Sequence, residues 1–348
     1  MPDNTNDNIE EGMQVYRPGG FHPVHINDVF KDRCKVLNKI GYGVYSTVWL
    51  VRDLQPVQPG IENEFRALKV LSAECYDGTQ APIFEREILT HLRNGDRNQL
   101  GYNHVCHLLD DFEHHGPNGT HVCLVFELMG ETLRSFGAWF IESRFPNSVM
   151  RRFTIQLLLA LDFAYEHHVI HTESGYLAEV AIPKQNRSEE QYSVVPSIPL
   201  RRYYFSETDN TRVAEFDIAL GDWGPVALRS PEVLIQAPWD ASTDWWNLGC
   251  VVFEVFRAIV DLFGPFPKEL LGRGNKDIVQ DIFDDNGRIK NSLPMNRPGL
   301  ASEAFLPGLD QGVRDEFVSF LHAMMKINPT DRISAEDLLR HPWLGALR

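Results

Sequence analysis

The chain has 348 residues, 43% of them hydrophobic, with 21 Phe and a formal net charge of −15. That length suits a two-lobed enzyme with a sizeable core, and the hydrophobic content excludes a disordered polymer. The acidic balance argues against nucleic-acid binding, which needs basic stripes, and suits a basic partner such as an arginine-rich peptide. In chain order, Met1 to Gln14 is acidic and polar, so a loose tail is expected over residues 1–15 and no signal peptide. Tyr16 to Phe30 is a Pro/Gly-rich lead-in that its aromatic residues would pack.

Ile40 to Lys69 is the informative stretch. Ile-Gly-Tyr-Gly-Val-Tyr-Ser-Thr-Val-Trp-Leu is followed by a polar loop and then Arg-Ala-Leu-Lys at 66–69. Two glycines one residue apart between β-branched and aromatic residues predict strand–turn–strand. Gly41 and Gly43 leave room for backbone to close over a phosphate group, with their N–H groups facing it. Lys69 has apolar neighbours on both sides, and a buried lysine needs an anionic partner. A Gly-x-Gly pair alone is shared by ordinary tight turns. Pro82 to Leu92 then has helical spacing, Asn103 to Asp111 and His121 to Phe126 read as strands, and Glu131 to Ser143 and Ser148 to His168 read as amphipathic helices.

The glycine hairpin followed by Ala-x-Lys resembles the nucleotide cradle of protein kinases. Together with the Tyr16–Phe30 lead-in, it resembles the SR protein kinases, which phosphorylate serines in Arg/Ser-rich splicing factors. The resemblance runs from Tyr16 to Leu344. It implies an α+β, two-lobed kinase fold, with a β-rich small lobe over 16–129 and a mainly helical large lobe over 130–348. It implies ATP held by Gly41, Gly43, Val48, Ala67 and Lys69, and Glu85 as the helix carboxylate that holds Lys69, with Glu87 left solvated. Phe126-Glu127-Leu128-Met129 matches the hinge, so adenine would be met by backbone at Glu127 and Met129. Asp222 in Gly-Asp-Trp-Gly matches the Mg²⁺-binding Asp-Phe-Gly motif.

Three places depart from the family. After Val-Ile-His171-Thr172, the family expects His-x-Asp, then a lysine and an asparagine, to orient the substrate hydroxyl and hold metal. Here the chain continues Glu173-Ser-Gly-Tyr-Leu-Ala178. Glu173 is a base only if it replaces the aspartate, and the simpler reading is an excision after Thr172. Residues 179–218 form a polar, proline-bearing stretch that reads as part of an insertion at about 174–216. Pro225 to Arg229 alone separates Asp222-Trp-Gly224 from Ser230-Pro-Glu232, the counterpart of Ala-Pro-Glu. Five residues span at most about 18 Å, too little for a peptide platform. Cys250 to Ile259 then runs almost directly into Val260-Asp-Leu-Phe-Gly-Pro, a third gap. The apolar part of that run is broken by Glu254 and Arg257, so it does not span a bilayer.

The C-terminal part keeps the pattern. Asp244 opens a buried helix, Asp310 to Met325 is helical, Ser334 is an N-cap, and Arg332 matches the arginine that pairs with Glu232. Five scattered cysteines without a Cys-x-x-Cys pair predict reduced thiols and an intracellular protein of cytoplasm or nucleus. The adjacent pairs His114–His115 and His167–His168 lack zinc spacing. The expected partners are ATP, Mg²⁺ and Arg/Ser-rich proteins, with no nucleic acid and no membrane, and a monomer is expected. Three functional readings stay open. They are a serine/threonine kinase with severely impaired activity, a kinase-like binding or scaffold protein, and the product of an incomplete gene model.

Overall fold

The computed structural model describes residues 10–55, 64–78, 84–130, 132, 136, 147–170, 195, 197, 217–221, 230–234, 237–253, 263, 265–288, 290, 300–303 and 309–345. The chain divides into two compact units, the first of Met1–Asn94, Cys106–Arg144 and Ser174–Arg212, the second of Gly95–Val105, Phe145–Glu173 and Val213–Arg348. The fold is α+β, with the described sheet in the first unit and most of the described helix in the second.

The first unit is built on a six-stranded antiparallel sheet in the order β1-β2-β3-β4-β6-β5. The strands are β1 (Val29–Phe30), β2 (Cys34–Tyr42), β3 (Ser46–Asp53), β4 (Phe65–Leu71), β5 (Leu108–Gly116) and β6 (Gly119–Glu127). Alternate residues on one face, among them Val36, Trp49, Val51, Leu68, Val70, Cys123 and Val125, form a core that is almost fully excluded from water. Each such side chain contributes about 1.5–3 kcal/mol on burial, so this face sets the register. The opposite face carries Val48, Leu50, Ala67 and Lys69, all only half-buried. Helix α1 (Glu85–Arg93) follows β4.

The lead-in is ordered, with Phe21, Val24 and Phe30 buried. Its backbone is stapled to the β5–β6 turn, where Gly19 N–H donates to Asn118 O at 2.7 Å and Asn118 Nδ2 to Phe21 O at 2.6 Å. The loose tail expected over 1–15 is held from Glu10 onward: Glu10 and Glu11 both pair with Lys39, and Met13–Val15 is a 3₁₀ turn. An isolated reading of an acidic segment misses a buried cation waiting for it.

The second unit is organised by α2 (Asn147–Glu166). Its Leu157, Leu158 and Leu161 pack in one core with Trp246, Phe320, Leu321, Met324 and Trp343. Those partners come from α4 (Ser242–Phe253), α7 (Gln311–Met324) and the C-terminal turn, and α3 (Pro231–Leu234), α5 (Lys268–Arg273), α6 (Lys276–Ile282) and α8 (Ala335–Leu339) complete the described helices. Asp310 and Ser334 cap α7 and α8, accepting from Val313 N–H at 3.0 Å and Asp337 N–H at 3.2 Å.

Two boundaries differ from the sequence expectation. The strand expected over 103–111 is a 3₁₀ turn at Leu100–His104 followed by β5 from Leu108. The turn docks on α2, where a Cβ on Gly101 would collide with the Leu159 carbonyl oxygen and Tyr102 meets Phe163 edge-on at 5.7 Å. Backbone that close to a helix cannot also pair in the sheet. The same docking assigns Gly95–Val105 to the second unit. The helix expected over Glu131 to Ser143 falls mostly outside the described residues.

Candidate functional site

The site predicted for the first unit sits on the half-buried face of the sheet. Cross-strand pairing places Gly41 opposite Val48, Val48 opposite Lys69, and Lys69 opposite Leu124, so the four residues share one row. Ala67 pairs with Leu50 and Phe126 one step further along that face. Leu50 was not singled out from sequence, because its role depends on the register alone. Glu127 ends β6 and is exposed, and Met129 is 40% exposed two residues on.

Lys69 Nζ donates to Glu85 Oε1 at 2.7 Å, with the two side chains 14% and 5% exposed. Such a pair is held where removing one partner strands a charge, at a cost of about 3–5 kcal/mol. Glu85 is the first residue of α1, where a carboxylate is favoured by the unsatisfied N–H groups. The helix cap comes from outside the local sequence. Phe84 occupies the N-cap and offers no side-chain bond, while Tyr76 Oη accepts from Arg86 N–H at 3.0 Å and donates to Glu87 Oε2 at 3.0 Å. Burial pushes the Tyr76 hydroxyl pKa well up, so it stays protonated as that bridge requires. Sequence reading missed Tyr76 because a tyrosine ten residues before the amide it caps and eleven before the carboxylate it bonds carries no capping signature.

The glycines divide. A Cβ on Gly41 would meet nothing within 4 Å, so the protein's own packing does not demand glycine there. Open space above a backbone in the Lys69 row fits close approach of a ligand. Gly43 behaves differently: its N–H, expected to face a phosphate, donates to Ser46 O at 2.8 Å and closes the hairpin. That N–H is consumed by the turn. The arrangement fits a phosphate-bearing nucleotide through Gly41, Lys69 and the sheet face, with Gly43 shaping the turn.

In the second unit, the approach to the predicted metal ligand is fixed by polar contacts. Leu220 bridges Val105 in parallel and its N–H donates to His104 O at 2.7 Å. Asp217 Oδ1 accepts from Arg152 Nη2 at 2.7 Å and Gln156 Nε2 at 2.5 Å, and the Arg152 bond leads in holding its carboxyl below the ordinary pKa. Asp222 itself, Glu173 and most of the insertion at 174–216 lie outside the described residues. Glu232 and Arg332 form a bidentate pair at 2.6 and 2.7 Å with neither side chain exposed. Asp244 is buried in the first turn of α4. Among the described residues no cluster of His, Cys, Asp or Glu could hold a metal ion, and no helix is long and apolar enough to cross a membrane.

The protein kinase domain family model matches residues 223–344. A serine/threonine protein kinase of Aspergillus fumigatus is 29% identical over 374 residues, covering 97% of this chain and 91% of the relative. Protein kinase dsk1 of Schizosaccharomyces pombe is 26% identical over 475 residues, covering 96% of this chain and 85% of the relative. The serine/threonine-protein kinase SRPK of Physarum polycephalum is 25% identical over 402 residues, covering 97% and 92%. Each alignment is longer than the 348 residues of this chain, so each relative carries segments with no counterpart here.

Proposed function

We propose, from the premise that the chain is by family an SR protein kinase-like serine/threonine kinase, that its first unit still binds ATP while phosphoryl transfer to Arg/Ser-rich proteins is lost or severely impaired. Protein kinases as a family use ATP, a divalent metal and a protein substrate. The observation that carries the binding half is the Lys69–Glu85 pair beside the open backbone at Gly41. In this reading Lys69 meets phosphate oxygens, Glu85 keeps the ammonium oriented, Val48 and Ala67 contact the base, and backbone at Glu127 and Met129 hydrogen-bonds it. Mg²⁺ would be held by Asp222 and, when bound, supplies charge neutralisation between phosphates.

The catalytic half rests on the residues after His171-Thr172. No aspartate, lysine and asparagine in the family's spacing come after Thr172, and five residues separate Gly224 from Ser230. The longer alignments of the relatives support missing segments over scattered decay. Catalysis of phosphoryl transfer is mainly positioning and electrostatics, so losses of the base, a metal ligand and the substrate platform compound. We expect turnover on the order of 10³-fold or more below an intact relative. The chain then acts as a nucleotide-holding, kinase-like binding protein in an intracellular compartment.

The test is calorimetric titration with ATP, with and without Mg²⁺, beside Lys69→Met, and a transfer assay with labelled ATP and an Arg/Ser-repeat peptide beside Asp222→Asn. Binding that Lys69→Met weakens, with equal background transfer in parent and Asp222→Asn, is the expected result. No heat at millimolar ATP from folded protein overturns the binding half. Robust transfer abolished by Asp222→Asn overturns the other half and assigns the base role to a residue such as Glu173.

A further inference from the structure

Lys39 is fully excluded from solvent on β2, two residues before Gly41. A buried ammonium is costly unless it is paired and hydrogen-bonded. Here two carboxylates serve it: Glu10 Oε2 at 2.9 Å, and Glu11 in shorter contact. Each carboxylate is tied in turn. Glu10 accepts from Ser197 N–H at 2.7 Å and Ser197 Oγ at 3.1 Å, and Glu11 accepts from the Tyr16 hydroxyl. Val195, two residues before Ser197, packs against the sheet core. The two adjacent carboxylates thus close on the ammonium, and Ser197, from a distant part of the chain, braces one of them.

The position of that ammonium is what gives the cluster consequence. Lys39 pairs with Trp49 and Gly41 pairs with Val48, so β2 spends two residues where β3 spends one, and Ile40 is the extra residue of a bulge. The bulge turns Lys39 toward the core face and Gly41 toward the Lys69 face. Beyond Gly41, the Tyr42 ring lies 5.0 Å from Lys39 Nζ. The glycine is thus bracketed by two residues anchored to the same charge.

We propose that Lys39, clamped by Glu10 and Glu11 with Ser197 bracing Glu10, is a positioning residue that holds the β2 bulge and so presents Gly41 to the nucleotide. The inference rests on the ATP-binding reading, but its core claim concerns the hairpin and is measured without ATP. Burial acts to raise the Glu10 pKa, and Lys39 with the Ser197 amide outweighs it, keeping the carboxylate charged at neutral pH.

The experiment compares the full chain with Glu10→Gln/Glu11→Gln and with Ser197→Ala by amide hydrogen exchange, in the absence of nucleotide. Amides of Leu68 and Val125 in the sheet core serve as the internal reference for folding. The expected result is faster exchange at Met13–Val15 and at Gly41–Ser46 together, with the reference unchanged and Ser197→Ala intermediate. Faster exchange at Met13–Val15 with Gly41–Ser46 unchanged overturns the proposal, as does no change at either. Should the double variant lose the reference protection, Ser197→Ala alone decides by the same two segments. An ATP titration of the same proteins should show affinity falling on the order of tenfold in the double variant. If the parent does not bind ATP, the nucleotide reading fails while the exchange result still decides the clamp.

Discussion

Replacing Glu232 by Gln would strand the Arg332 guanidinium in the interior of the second unit. Neither side chain is exposed, and the pair is bidentate at 2.6 and 2.7 Å. Arg332 also donates to Ser242 O and Lys326 O, both at 2.9 Å, and lies 5.2 Å over the Trp246 ring. Those contacts hold the charge in place, so it cannot swing to water when its carboxylate is neutralised. Breaking one partner of a buried pair costs about 3–5 kcal/mol, against a total stability of roughly 5–15 kcal/mol for a domain. For a unit of this size the melting temperature should fall by roughly 10 °C. Thr243 Oγ1 also donates to Glu232 Oε1 at 3.2 Å, and the glutamine can keep that bond. With Oε1 kept as acceptor, the amide nitrogen stands at the Oε2 position against the Arg332 Nη2 donor, so the charge and one hydrogen bond are removed together. Arg332→Met and the double variant complete a cycle, followed by tryptophan fluorescence, since Trp245, Trp246 and Trp343 all sit in this core. The double variant should be less destabilised than the two singles added together. A Glu232→Gln penalty under about 1 kcal/mol, or strict additivity, would refute the reasoning.

Gly41→Ala should leave thermal stability within about 1 kcal/mol of the parent, because the added Cβ meets no atom within 4 Å, yet weaken ATP binding in calorimetry. A large loss of stability would contradict the open space around Gly41. Tyr76→Phe removes the hydroxyl that caps α1 and should cost about 1 kcal/mol in urea unfolding, with exchange rising first at Arg86. His22 is buried against His114, His121 and Phe30, and burial foremost, with the charges of His121, His114 and His25, lowers its pKa to about 3. A depressed folded pKa means stability is complete above the unfolded value near 6.5 and is lost as pH falls toward 3. At pH 5 that loss is roughly 2 kcal/mol. Asp28 faces His114 and opposes part of the effect there. Unfolding free energy that stays flat between pH 7 and pH 5 would count against it, and His22→Gln should shallow the slope.

Much of the local architecture was legible because its causes are local. The β-branched and aromatic residues around Gly41 and Gly43 predict the strands of the hairpin, and Asp310 and Ser334 announce helix starts through their own side chains. The Lys69–Glu85 and Glu232–Arg332 pairings were legible for another reason, since each lies in a motif of a family that the chain resembles. What the linear pattern could not supply was the consequence of long-range contact. Glu10 and Glu11 read as a solvated acidic tail until Lys39 is seen without access to water. Gly43 read as a phosphate contact until its N–H is found closing the hairpin on Ser46. Residues 103–107 read as strand until Gly101 is found against the Leu159 carbonyl. Tyr76 had no reading as a cap at all. In each case a backbone group or charge must be satisfied by whatever the fold brings near, and only the tertiary structure decides which partner that is.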